Sequence, residues 1–314
     1  MAGRRRRWPS HQRFVHVHGR ARFAMNPLSR LAAIEWPLVV CEELMLGTAA
    51  FVLAVVPRAQ DIGGRALRAF RPLWFALAAG VLVATPLAML AQVAQMAGVS
   101  LSQALGFVPE AVASTNAGFL WACRIAVAIV VGVVAIVRSP AARTASRLVV
   151  LLIALLGLQA LSSHAVDYSY VSVALYLVHE AAAGLWFGGL AGLVMALNTE
   201  PDAPWLGAAA RRVSAIAAWM VLALALSGVA LAYQTLGVNL ARLVDTPYGR
   251  TLLAKSALFA AVLALGGYNR YRFVPASEEP AVRKSLARTV AAECVLLVAA
   301  LAAASILANT APPH

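Results

Sequence analysis

Eight runs of apolar residues constrain the fold of this chain more than any other feature of its sequence. A run of about 18 to 25 apolar residues is long enough to cross a bilayer as a helix. With 61% hydrophobic and 12% charged residues, the chain has too little polar surface for a soluble globular protein of its length. We therefore predict an all-α, polytopic membrane protein whose spans lie near residues 34–56, 73–96, 117–137, 148–163, 171–196, 213–234, 251–268 and 289–307.

Basic residues are concentrated in alternate loops of this layout. Short loops rich in Lys and Arg remain on the cytoplasmic side of a membrane. The loops after the second, fourth and sixth spans hold only Arg242 and Arg250, so we expect both chain termini on the outer side, which agrees with an even number of spans. The basic residues after the first, third, fifth and seventh spans are Arg58, Arg65, Arg68, Arg71, Arg138, Arg143, Arg147, Arg211, Arg212, Arg270, Arg272, Arg283, Lys284 and Arg288.

The N-terminal tail, residues 1–30, opposes this orientation because it carries the basic stretch GRRRRWPSHQRFVHVHGRARF. The stretch lacks the apolar core of a signal peptide. We expect translation to start at Met25, so that MNPLSRLAAIEWPLVV leads directly into the first span of a membrane domain covering residues 31–314. A nucleic-acid-binding tail is the alternative, but a basic patch alone argues weakly for one. We therefore expect no nucleic-acid partner.

Ionisable residues interrupt the apolar spans at similar distances from their outer ends. Such groups are expensive in hydrocarbon and usually face a partner, a cavity or a cofactor. The helical rise of about 1.5 Å per residue places them in a polar layer roughly 10 to 14 Å below the outer interface. The alternative is a structural ion-pair network that joins Arg124 to Glu42 or Glu43. The layer consists of Glu42 and Glu43 in the first span, Arg124 in the third, His179 and Glu180 in the fifth and, somewhat shallower, Lys255 in the seventh.

Sulfur-containing side chains occur near the same level. Cys41 and Met45 share one face of the first span, and Met89 and Met96 share one face of the second. Thiolate and thioether ligands together with imidazole select Cu(I) over hard cations. Methionine is also an adaptable filler of apolar cores, so packing is the alternative reading.

A ridge of small residues on the fifth span consists of Gly184, Gly188 and Gly192. Glycines that recur every fourth residue let another helix approach closely, and we predict a packing role for them. His179 lies on the adjoining face, while His164 lies at the outer end of the fourth span. The sequence leaves open whether these two histidines are metal ligands or hydrogen-bonded structural groups.

Several segments together resemble the copper resistance protein D (CopD) family of bacterial inner-membrane proteins. They are SSHA, LVHEAAAGLWFGGL, RRVSAIAAWMVLALALSGVALA, TPYGRTLLAKSALFAAVLALGGYNR and AAECVLLVAALAAASILANTAPP, within residues 160–313. The resemblance implies copper handling and inward copper movement across the inner membrane, with the outer side being the periplasm. It also implies a small periplasmic copper carrier of the CopC type as a partner.

By this resemblance the histidines carried over as copper ligands are His164 and His179. Family members often have an acidic residue three positions before the second histidine. That position is Tyr176 here, and Glu180 or Asp167 is the substitute. The matching framework residues are Trp186, Gly188, Gly189, Arg212, Tyr248, Gly249, Lys255, Asn269, Arg270 and Glu293.

The predicted function is copper uptake and copper resistance through an outward-facing His/Glu/Met layer, with copper as the bound ion and lipid as the surroundings. No Walker-type phosphate loop or catalytic constellation is present in the sequence, so we do not expect an enzyme. A b-type haem protein is one alternative, since paired intramembrane histidines also bind haem iron. His164 is expected about 10 Å shallower than His179, which disfavours haem. A structural or sensory membrane subunit is the other alternative.

Overall fold

Eight long helices form the chain in a computed structural model that describes residues 27–57, 64–137 and 139–310. All eight are long and apolar enough to cross a membrane, and the described ranges contain no strand. The prediction of an all-α, eight-span membrane protein is confirmed. The helices are α1 (Pro27–Ala54), α2 (Gly64–Ala97), α3 (Asn116–Ile136), α4 (Ala141–Ser162), α5 (Tyr170–Thr199), α6 (Leu206–Leu236), α7 (Pro247–Arg272) and α8 (Pro280–Ala308).

Residues 1–26 of the predicted tail, with Met25, and the predicted loop residues Arg58 and Arg138 lie outside the described residues, whereas residues 27–30 belong to α1. The bundle has two ends, which we name by what they contain. The terminal face is the end where α1 begins and α8 ends, and the basic face is the opposite end. At the terminal face Asn309 Nδ2 donates to Glu35 Oε2 over 2.7 Å, which joins the end of α8 to the first turns of α1. The connections at this face include the short helices Leu101–Ala104, Val108–Ser114, His164–Asp167 and Arg242–Asp245.

Helices α1 and α5 lie at the centre of the bundle, and each packs against several of the others. Their backbones approach closely because glycines face each other. A Cβ atom added at Gly188 would lie 2.7 Å from the backbone nitrogen of Thr48, and one added at Gly192 would lie 2.6 Å from Cγ of Phe51. Gly184 meets the backbone of Glu43 in the same way, with a Cβ 3.2 Å from its Cα. The structure thus places α1 directly on the predicted glycine ridge.

The basic face is held together partly by the carboxylate of Glu200, which follows α5. Glu200 Oε1 accepts the backbone N–H groups of Arg65 at 2.7 Å and Ala66 at 2.9 Å, at the start of α2. Trp205 Nε1 donates to Oε2 over 3.2 Å. Burial alone would raise the pKa of Glu200, but these hydrogen bonds outweigh it and hold the pKa below its ordinary value of 4.5. The carboxylate therefore serves as a cap for the orphan donors of α2.

Arg283, near the start of α8, joins two basic-face connections. Its buried guanidinium donates to backbone carbonyls of Pro201 at 2.9 Å and Ala203 at 3.0 Å, in the α5–α6 connection. It also donates to those of Ser277 and Glu278, before α8. Burying a guanidinium is tolerated because its donors find acceptors.

Helix α7 packs mainly along α8, and a crevice of about 140 Å³ lies between it and the α5–α6 pair. Polar contacts nevertheless tie α7 to its neighbours on both sides of the crevice. Arg270 Nη1 donates to the backbone oxygen of Ser214 on α6 over 2.7 Å. Towards the terminal face, Lys255 Nζ lies 3.5 Å from Nε2 of His179 on α5. The α7–α8 pair is therefore less tightly packed against the bundle than α1 and α5 are against each other.

Candidate functional site

The predicted polar layer separates into two clusters because Glu42 and Glu43 point to different helices. Glu42 faces α3, where Arg124 Nη2 lies 3.1 Å from its Oε1. The same nitrogen donates to Gln159 Oε1 on α4 over 3.0 Å, and the guanidinium carbon lies 4.5 Å from the centre of the Trp121 ring. Arg124 and Glu42 are both buried. This first cluster is an ion pair that joins α1, α3 and α4.

The second cluster begins with Glu43, which is 1% exposed. Neither carboxylate oxygen of Glu43 has a hydrogen-bond partner within the described part of the chain. The residue packs on α5 at Gly184, one turn from Glu180, and it interacts electrostatically with Glu180 and Lys255. Two carboxylates in a medium of low dielectric need a cation or a proton beside them. The charge of Lys255 acts on both carboxyl groups, but its ammonium makes no hydrogen bond with Glu43.

His179 completes the second cluster. Its Nδ1 lies 3.0 Å from Ser227 Oγ on α6, and its Nε2 lies 3.5 Å from Lys255 Nζ on α7. Ser227 Oγ donates its own proton to the carbonyl of Ala223 over 2.6 Å, so it accepts from the imidazole. The hydrogen-bond pattern therefore assigns the proton to Nδ1 and leaves a lone pair on Nε2.

The space around the imidazole is set by α6 and α7. Gly228 follows Ser227 on α6, and a Cβ atom there would lie 3.2 Å from Cε1 of His179. The 3.5 Å separation from Lys255 is long for a hydrogen bond, so the ammonium is only loosely held. His179, Glu180 and Lys255 are half-buried, unlike Glu43.

The predicted sulfur ligands lie elsewhere in the packing. Cys41 faces α2, since a Cβ atom at Gly80 would lie 2.7 Å from its Sγ. Met45 and Met89 are buried in the core, whereas Met96 is 37% exposed. Within the described residues, His, Cys, Asp and Glu side chains do not form a group of three that could hold a metal ion. The second cluster is therefore an arrangement of imidazole and carboxylates around an ammonium, without a preformed metal site.

His164 begins the short 3₁₀ helix His164–Asp167 at the terminal face, and its side chain lies outside the described residues. His179 lies nine positions after Tyr170, the first residue of α5, which is about 14 Å along the helix axis. Two axial ligands of one haem face each other at one depth. The backbone positions of these histidines therefore do not favour the haem alternative.

Sequence reasoning missed three residues that complete the two clusters. Gln159 and Tyr176 extend the first cluster, since Gln159 Nε2 donates to the Tyr176 hydroxyl over 3.4 Å. Ser227 orients the imidazole of the second. Residue counting from the ends of the fourth and sixth spans brings Gln159 and Ser227 near the level of the ionisable residues. Position along the helix was therefore the sequence feature that could have identified Gln159 and Ser227. Neither side chain is ionisable, so the search for charged residues in the spans did not find them.

These features define the class of the protein, which is an eight-helix, multi-pass membrane protein with ionisable side chains buried inside its bundle. Two family models match it. The model described as "Copper resistance protein D-like, N-terminal domain" matches residues 31–169, and that of "Copper resistance protein D" matches residues 207–307. Together they account for about three quarters of the chain. The chain belongs to the copper resistance protein D family, and this membership supports a role in copper homeostasis.

Two curated relatives carry matching names. Copper resistance protein D of Pseudomonas syringae pv. tomato is 29% identical over 277 residues, which is 84% of this chain and 87% of the relative. Copper transport protein CutJ of Bacillus subtilis (strain 168) is 28% identical over 218 residues, which is 66% of this chain but only 39% of CutJ. The chain thus spans about two fifths of the length of CutJ. No solved structure matches the chain. Helix α5, with His179 and Glu180, falls between the two segments that the family models match.

Proposed function

We propose that this protein takes up copper across the bacterial inner membrane, and that the ion first binds within the bundle at His179, Glu180 and Glu43. The contact that carries the proposal is Lys255 Nζ at 3.5 Å from His179 Nε2, in the electrostatic field of the two carboxylates. The ammonium group of Lys255 occupies the place beside the imidazole that a metal ion would take. A copper ion that displaced it would meet the same negative charges.

The chemistry of the exchange follows from these groups. A neutral imidazole with a free Nε2 lone pair is a ligand for copper in either oxidation state. The carboxylates lower the free-energy cost of bringing a cation into low dielectric. The long, flexible lysine side chain can extend its ammonium towards the membrane interface when the ion arrives. When the ion is Cu(I), one positive charge replaces another and the net charge of the cluster is unchanged.

In this proposal, sulfur-containing side chains also bind copper as it moves through the bundle. Cys41 lies against α2, and α2 itself carries Met89 and Met96. Cuprous ion prefers such soft donors to carboxylate oxygen. We assign the buried Met45 and Met89, together with Cys41, to transfer after binding at His179, and the exposed Met96, at the terminal-face end of α2, to entry of the ion.

The positive-inside rule favours an orientation with the basic face in the cytoplasm and the terminal face in the periplasm, and uptake would then run from the terminal face to the basic face. His164, on the terminal-face connection, would then be the first ligand that external copper meets. A small periplasmic copper carrier of the CopC type would deliver the ion to this face. The proposal needs no chemical step, and the protein acts as a transporter and not as an enzyme.

Cell-associated copper in a host without its own importers tests the proposal. His179→Ala should reduce copper accumulation to that of cells without the protein, because the Nε2 ligand is lost. Glu180→Gln should have an intermediate effect, since it keeps the shape and removes the charge. His164→Ala should reduce uptake only at low external copper.

Glu278→Gln is the control, because Glu278 is exposed and paired with Arg211 at the basic face. Immunoblots confirm equal protein levels. If His179→Ala cells accumulate copper as wild type does at equal protein level, the proposal is wrong.

A further inference from the structure

A further buried carboxyl group lies nearer the basic face, away from both clusters. Glu293 on α8 is 2% exposed, and Asn269 on α7 is 3% exposed. Asn269 Nδ2 donates to Glu293 Oε1. Asn269 Oδ1 is buried and has no hydrogen-bond partner within the described residues. Buried polar atoms are nearly always satisfied, so this oxygen requires an explanation.

Within the described part of the chain, no ammonium or guanidinium group forms an ion pair with Glu293. Arg270 lines the same crevice, but it is exposed and its guanidinium donates to Ser214 at 2.7 and 3.0 Å. Cys294, the next residue on α8, contributes a thiol. From α5 the crevice is lined by apolar side chains that include Trp186. Glu293 therefore differs from Glu42, which is ion-paired with Arg124, and from Glu43, on which the charge of Lys255 acts.

A proton on Glu293 resolves both observations. A carboxylic acid is a donor as well as an acceptor, whereas a carboxylate only accepts. With Oε1 already accepting from Asn269 Nδ2, a proton on Oε2 can be donated to Asn269 Oδ1, and the acid and the amide then form a cyclic pair. The protonated group is also the form that low dielectric favours. Glu293 Oε2 lies close to the backbone of Gly266 on α7. A Cβ atom at Gly266 would lie 3.1 Å from Oε2, so a residue with a side chain would crowd this oxygen.

The crevice gives this pair a route to water. It has a volume of about 140 Å³, and its lining includes Glu293, Asn269, Arg270 and Ser214. It runs between α7 and the α5–α6 pair, at the end of α7 that meets the basic face. A carboxyl group that lines such a crevice can exchange a proton with the basic-face side without crossing the whole bundle.

We propose that Glu293 and Asn269 form a proton-binding site in this crevice, and that copper binding at the His179 cluster releases its proton to the basic-face side. The coupling rests on the proposed copper function, whereas the proton site does not. The O–H bond of Glu293 breaks, the electron pair stays on Oε2, and the proton goes to water in the crevice.

The two sites are linked because they use the same helices. Ser227 and Ser214 lie on α6, and Lys255 and Asn269 lie on α7, so the sites are about 20 Å apart along each helix. Helix α7 is tied to the α5–α6 pair by Lys255 at one site, by Arg270 at the other and, between them, by the T-shaped contact of Phe259 with Trp186. Copper that displaces Lys255 removes the first of these contacts. A shift of α7 against α6 then opens the crevice, and water can stabilise the Glu293 carboxylate.

Infrared spectroscopy of the purified, copper-free protein tests the proton site. The carbonyl band of a protonated carboxylic acid should be present in wild type and lost in Glu293→Gln. Glutamine keeps the shape and can pair with Asn269, so the variant should fold. Glu293→Asp should shift the band without removing it, and Glu278→Gln should leave it unchanged. Absence of any difference between wild type and Glu293→Gln overturns the site.

Proton release on copper addition tests the coupling. In weakly buffered detergent solution with a pH indicator, Glu293→Gln should bind as much copper as wild type by metal analysis, but it should release about one proton fewer for each ion bound. Equal release at equal copper binding overturns the coupling. If wild type binds no copper, the proposed copper function fails and the coupling with it, while the infrared result still decides the proton site.

Discussion

Lys255 Nζ lies 3.5 Å from His179 Nε2, so that an ammonium group from α7 faces the lone pair of an imidazole on α5. Ser227 on α6 fixes the other ring nitrogen at 3.0 Å. Three helices thus meet at one side chain. Because α7 is otherwise packed mainly along α8, this contact joins the least constrained part of the bundle to its centre.

Replacement of Lys255 by Ala should strengthen copper binding, because the ion no longer has to displace an ammonium. The copper-free variant should be less stable than wild type, since Glu43 and Glu180 lose their cation. Added copper should then raise the melting temperature more than it does in wild type, because a ligand that binds only the folded state stabilises it. Arg250→Ala, on the exposed first turn of α7, is the control. Weaker copper binding by Lys255→Ala at equal folded yield would contradict the model of ammonium exchange.

Replacement of Arg124 by Ala should leave Glu42 buried without a cation. Removing one partner of a buried ion pair destabilises a protein by roughly 3 to 5 kcal/mol. We expect a lower yield of folded protein in the membrane and a lower melting temperature in detergent. The double variant Arg124→Ala/Glu42→Gln should recover most of the loss, since the uncompensated charge is gone. Wild-type stability of Arg124→Ala would show that the pair contributes nothing to the fold.

Replacement of Gly188 by Ala should disrupt the contact between α1 and α5. The added methyl group would lie 2.7 Å from the Thr48 backbone nitrogen, so the helices must separate. Overpacking of this kind costs about 1 to 3 kcal/mol or more. Gly189→Ala is the matched control, because a Cβ atom at Gly189 meets nothing within 4 Å. Thermal unfolding of both variants checks the prediction, and equal melting temperatures would refute it.

The hydrogen bonds of Glu200 should make stability depend on pH. Because its pKa in the folded protein is below the ordinary value of 4.5, its contribution is present above that pH and is lost as the pH falls through the lower folded-state value. The apparent melting temperature of wild type should therefore fall in this acidic range more steeply than that of Glu200→Gln. Glu279→Gln, at an exposed carboxyl, should follow the wild-type curve. Parallel curves for wild type and Glu200→Gln would show that the cap has no such effect.

Reporter fusions test the orientation. A reporter inserted within residues 269–288 should register as cytoplasmic, and one placed after Thr310 should register as periplasmic, because the arginine-rich loops resist translocation. Alkaline phosphatase and a fluorescent protein give opposite signals on the two sides. The reverse pattern would leave the eight helices in place but would invert the direction of copper entry.

Hydropathy was sufficient to predict all eight helices, because each must cross the apolar layer. It underestimated their length. Helix α2 was expected from residue 73 but begins at Gly64, and α4 was expected from residue 148 but begins at Ala141. The additional turns contain arginines such as Arg68 and Arg143, which hydropathy counts against a span. These long side chains can reach polar surroundings while the backbone remains helical.

Residue counting put the polar side chains at similar levels along their helices but gave no direction in which any of them points. Glu42 and Glu43 are neighbours on α1, yet the first faces Arg124 on α3 and the second faces α5. Successive helical residues differ by about 100° around the axis. Which helix occupies each direction depends on the packing of the whole bundle. The sequence therefore proposed Arg124 with Glu42 or Glu43, and only the structure distinguishes them.

The close approach of α1 and α5 has a mechanical consequence. Backbones that meet through glycines, without side chains between them, cannot slide or rotate past each other without collision. Glu43 lies on α1, and His179 and Glu180 lie on α5. The close contact between these two helices therefore fixes the backbone positions of the three residues relative to one another. Lys255 lies on α7, which packs mainly along α8 and not on α1 or α5. In the proposed copper uptake, the glycine contact would therefore keep these three groups at fixed relative positions while the side chain of Lys255 moves.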